Sequence, residues 1–90
     1  MANPINTALI SDVADMLESI YSTARLLQLR NLCINNSGIW AIPENPRDYR
    51  PVFYEIQLFG VSSIANDPAE LPKNWCLAAR NIIAASANAA

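Results

Sequence analysis

The chain has no histidine. That removes the commonest general base, the commonest metal ligand and the usual partner of a nucleophilic serine or cysteine. It has only two glycines, Gly38 and Gly60, and they stand far apart. A glycine-rich phosphate cradle is therefore excluded. Charge is also scarce: 16% of residues are charged, with a net charge of −2. Lys73 is the sole lysine, and Arg25, Arg30, Arg47, Arg50 and Arg80 are scattered. Nucleic-acid binding needs several clustered phosphate contacts and is disfavoured. No apolar run approaches a membrane span. Met1-Ala2-Asn3-Pro4 has neither the basic nor the apolar region of a secretory leader. We therefore expect a cytoplasmic protein without a membrane segment.

Apolar residues are abundant, at 52% of 90 residues. A single domain spanning 1–90 buries roughly 60–65% of its unfolded surface, so its own core is modest. The surplus is read as an apolar surface covered by a partner, either a second copy or another protein, with an Ala-rich helix as the alternative. Cys33 and Cys76 have no motif spacing. In a reducing compartment they read as buried free thiols, with a Cys33–Cys76 disulfide as the alternative.

The densest β-branched and aromatic stretch is Val52 to Val61. Val52, Tyr54, Ile56 and Leu58 alternate with Phe53, Glu55, Gln57 and Phe59, as in a strand with one face on a core. Ile39 to Ile42 reads as a second strand, antiparallel to the first. Ile64-Ala65 either extends the main strand past a bend near Gly60 or forms a short third strand. The connection from Pro43 to Pro51 is long for a hairpin loop.

Before the strands, Leu9, Ile10, Val13, Met16, Leu17, Ile20, Ala24 and Leu27 recur at helical spacing. We read one long helix, opened by Asn3-Pro4 and stopped by Asn35-Asn36-Ser37-Gly38, with Asn36 or Gly38 left-handed. After the strands, Asp67-Pro68-Ala69-Glu70 is a second helix start. Pro72 either kinks that helix or restarts it. Leu71, Trp75, Ala78, Ala79, Ile82 and Ile83 form its apolar stripe. The fold class expected is α+β: a long N-terminal helix, an antiparallel β-hairpin and a C-terminal helix.

Tyr54-Glu55-Ile56-Gln57-Leu58-Phe59-Gly60, followed by Asp67-x-x-Glu70-Leu71-x-x-Asn74, resembles the strand–turn–helix end of HicB-like antitoxin domains. The likeness covers about a third of the chain, and such short motifs are generic. Pro72 and the long N-terminal helix depart from that family's pattern. The resemblance implies a small dimeric protein that neutralises a partner by contact, and it assigns no residue role.

Among candidate sites, the loop carrying Arg47, Asp48, Tyr49 and Arg50 stands out, because Tyr and Arg are enriched in binding hot spots. An ordinary solvated loop is the competing reading. Trp40 is a candidate anchor for a partner, with a core role as its alternative, and Trp75 reads as core. Asp12, Asp15 and Glu18 share a helix face, which without histidine reads as solvated surface. We assign no catalytic residue, no metal ligand and no cofactor.

The resulting expectation is a non-catalytic regulator or inhibitor that binds a protein partner. It would be a bacterial or phage accessory protein, antitoxin-like or anti-defence-like, and a homodimer or higher oligomer. Two alternatives remain. One is an oligomer that sequesters an anionic nucleotide through Arg47, Tyr49 and Arg50. The other is a structural subunit of a larger assembly.

Overall fold

The computed structural model describes residues 6–42 and 53–88. The order is α1 (Thr7–Ser19), α2 (Ser22–Asn35), β1 (Ile39–Ala41), β2 (Tyr54–Leu58), β3 (Val61–Ala65), a 3-10 turn (Pro68–Glu70) and α3 (Leu71–Asn88). The domain is α+β, as its sequence pattern indicates. It differs from the expected order in two places.

The N-terminal helical stretch is two helices rather than one. Asn6 caps the first, its Oδ1 accepting from the Leu9 N–H at 3.0 Å. The expected start at Asn3-Pro4 lies outside the described residues. Ile20 and Tyr21 are extended, with ψ of 164° and 141°. Ser19, Ile20, Tyr21, Ser22 and Thr23 concentrate weak helix formers, and the Ser19 hydroxyl donates to the Met16 carbonyl at 2.7 Å. Geometry favours the break too. A straight helix over this span would run about 44 Å, while a five-residue strand covers about 17 Å. Bending lets two separate stripes reach one core: Ile10, Val13, Ala14 and Leu17 from α1, and Leu29 and Cys33 from α2. Arg25 fastens the corner. Its Nε donates to the Ile20 carbonyl at 3.2 Å and its Nη2 to the Glu18 carbonyl at 3.1 Å. Those bonds satisfy carbonyls that the end of α1 leaves open.

The helix α2 ends with Ser37 left-handed, at φ 59°. Neither Asn36 nor Gly38 takes that role. The Gly38 N–H closes the end on the Cys33 carbonyl at 2.8 Å, a Schellman pattern. Glycine is needed at 38 for space. A Cβ there would stand 2.5 Å from the Gln57 carbonyl oxygen.

The single strand expected over 52–61 is two strands. Leu58 faces Val61, so Phe59 and Gly60 form a two-residue turn. Both are left-handed, at φ 53° and 81°, as a type I′ hairpin requires. The sheet is antiparallel with order β1-β2-β3. Ile64-Ala65 therefore belongs to a third strand, one of the two readings of that segment.

The restart at Pro72 holds. Asp67 caps the 3-10 turn through the Ala69 N–H at 3.1 Å, and α3 then begins at Leu71. The helices α2 and α3 cover the sheet, α2 over β1 and β2 and α3 over β3, while α1 lies along α3 and α2. The core gathers Ile10, Leu17, Leu29, Ile56, Leu58, Val61, Leu71 and Trp75, all essentially inaccessible. The Trp75 indole N–H donates to the Leu58 carbonyl at 3.3 Å, and the buried Ser63 hydroxyl to the Leu71 carbonyl at 2.9 Å. These bonds pin α3 to the hairpin and leave no buried polar cost at either donor.

Candidate functional site

Strand register sorts the sheet residues between two faces. Ile56, Leu58, Val61, Ser63 and Ala65 turn inward under the helices. The outward face carries two cross-strand rows, Ile39–Gln57–Ser62 and Ala41–Glu55–Ile64. No described element lies across these rows. Ile39 is 53% exposed and Ile64 54% exposed. Phe53, which continues the Glu55–Gln57 alternation just before β2, is 62% exposed. Three large apolar side chains thus flank a polar centre made by Glu55 and Gln57. Exposed apolar groups scattered singly are ordinary, whereas a set sharing one sheet face is a candidate interaction surface.

The free edge of β3 is partly blunted. The Asn74 side-chain amide donates to the Ile64 carbonyl at 2.9 Å, occupying an edge acceptor that a docking strand would use. The arrangement suits contact with the face better than addition of a strand at that edge.

Arg47, Asp48, Tyr49 and Arg50 lie outside the described residues. Trp40 is half-buried and packs against the core, opposite Ile56 on the helix-covered face. Its neighbours Ile39 and Ala41 are the β1 residues that face outward. The carboxylates of α1 are partly engaged. Arg80 of α3 reaches Asp15 at 2.7 Å and Glu18 at 3.2 Å. These two hydrogen bonds, Asp15 foremost, raise the affinity of Arg80 for its proton. Among the described residues, no three Cys, Asp or Glu side chains gather as a metal set.

Both thiols are free and buried. Burial pushes the Cys33 thiol up to about 11, and its Sγ lies 3.8 Å from the Gln57 carbonyl. Burial also pushes the Cys76 thiol up. Glu18 adds to that shift, while Arg80 and Arg25 pull the other way. Both cysteines rest as thiols, unsuited to attack an electrophile at neutral pH.

Sequence reasoning missed Ile39 and Ile64 as surface residues. For Ile64 the missing signal was the Phe59-Gly60 turn, because the register of β3 follows from it. No family model matches the chain, and neither a curated protein nor a solved structure matches it. No helix among the described residues is long and apolar enough to cross a membrane.

Proposed function

We propose that this chain is a non-catalytic protein-binding regulator or inhibitor that acts by surface contact, with the open face of its sheet as the docking surface. One observation carries the reading: Ile39, Phe53 and Ile64 share the sheet face that no described element covers and are each more than half exposed. Burying such side chains contributes a gross driving force of about 25 cal/mol per Å² of apolar area removed from water, from which the cost of association is subtracted. Self-association belongs to the same proposal, since Leu27, Ile34 and Leu77 are also exposed on the helices. The two buried, unpaired thiols suit a reducing, cytoplasmic setting. The antitoxin-like role rests on the HicB-like resemblance of residues 52–83, and the anti-defence-like role on the small, histidine-free character of the chain.

The test is a paired affinity purification from the native cell, using the wild-type chain and a Phe53→Lys/Ile64→Lys variant. Both positions are exposed, so the variant should keep its fold, checked by circular dichroism. The proposal expects a defined protein to accompany the wild type and to be lost with the variant. Equal recovery by both chains contradicts it.

A further inference from the structure

Three of the chain's six cationic side chains, Arg25, Lys73 and Arg80, line one cleft on the helical side, away from the open sheet face. The α1–α2 corner forms one wall and the first turns of α3 the other. The cleft is half-open and about 140 Å³. Arg25 is already oriented by its bonds to the carbonyls at the end of α1, and Arg80 by Asp15 and Glu18. Lys73 is exposed and has no ion-pair partner among the described residues. Cys76 and Leu77 give the cleft an apolar part beside these charges.

We infer that this cleft binds a carboxylate carried on a short apolar stem. Charge decides against a polyphosphate. Among the described residues, three cations face one lining carboxylate, Glu18, and Asp15 offsets Arg80 further, which suits a single negative charge. Size decides against a nucleotide, because the cleft is well below the roughly 300–1,000 Å³ typical of sites for drug-sized ligands. The carboxylate meets the Lys73 ammonium and the guanidinium edges, and charge-assisted hydrogen bonds to such donors are the strong kind. The stem lies on Leu77. Two sources share this chemistry: a protein chain terminus ending in an apolar residue, and a free short-chain acid. The site is separate from the open sheet face, so either reading can fail alone.

The test is a nitrogen–proton correlation titration of the full chain with N-acetyl-L-leucine, sodium butyrate and, as the uncharged control, N-acetyl-L-leucine amide. The inference expects saturable shifts at residues 73–80 and at Arg25 with one or both acids, at about millimolar affinity. It expects no such shifts with the amide. Tighter binding of N-acetyl-L-leucine supports a chain terminus, and tighter binding of butyrate supports a free acid. Lys73→Gln, whose dispersed spectrum verifies its fold, should weaken the acid roughly threefold or more. Absence of saturable shifts with both acids, an equal response to the amide, or unchanged affinity in Lys73→Gln overturns the inference.

Discussion

Trp75 is the residue on which most of the core converges. It is fully buried on α3, and its indole N–H ends on the Leu58 carbonyl of the hairpin. Trp75→Ala should cost about 3–5 kcal/mol. Trp75→Phe keeps much of the apolar volume and removes only the indole bond, since the Leu58 carbonyl still accepts from Val61 across the turn, so it should cost about 0.5–1.5 kcal/mol. Urea unfolding followed by circular dichroism measures both, and unchanged stability in Trp75→Phe would show that the hydrogen bond adds nothing. Cys33 offers a second check. Its thiol is held at about 11 against an ordinary 9.0. The folded state keeps the proton to higher pH than the unfolded chain does. Its contribution to stability is therefore complete below pH 9 and is lost as pH rises from about 9 to 11. Cys33→Ala should flatten that part of the stability profile. At pH 8 iodoacetamide should modify Cys33 about a hundredfold more slowly in the folded chain than in urea, from thiolate fraction alone. Similar rates would contradict a buried, raised thiol. The central role of Trp75 was legible from its place on the helical stripe. The left-handed Ser37 was not, because Gly38 next to it is the residue type that usually takes that conformation. Here Gly38 is held for clearance from Gln57.

Among the elements, α3 was the most legible, because Asp67 and Pro68 carry cap chemistry at the spacing a helix start needs. The hairpin was the least legible. Its turn is Phe59-Gly60, and phenylalanine is rarely left-handed. Phe59 is partly buried against the core, and that contact offsets the local strain. Reading through Phe59 as strand merged β2 and β3 and hid the direction of Ile64. Gly60→Ala places a Cβ on a left-handed residue and should destabilise by roughly 1–2 kcal/mol. Thermal denaturation checks it, and an unchanged or raised melting temperature would rule out the type I′ turn. The α1–α2 corner was hidden by a continuous apolar period. That period runs through Ile20, which is extended in the structure.

At the scale of the molecule, composition already indicated more apolar material than one small core takes up. Where the surplus sits was not legible. β3 buries Val61, Ser63 and Ala65 and exposes Ile64, and at Ser63 and Ile64 this is the reverse of what side-chain hydropathy suggests. The helices α2 and α3 cover one face of the sheet, and on the other, which no described element covers, Ile39, Phe53 and Ile64 surround Glu55 and Gln57. The central claim is that another protein surface covers this face. Hydrogen–deuterium exchange of the isolated chain and of the complex recovered from its native cell tests it most directly. The account expects binding to slow exchange across 53–58 and 61–65, with the α1 amides unchanged. Protection confined to the helices, with the strands exchanging as in the free chain, would contradict it.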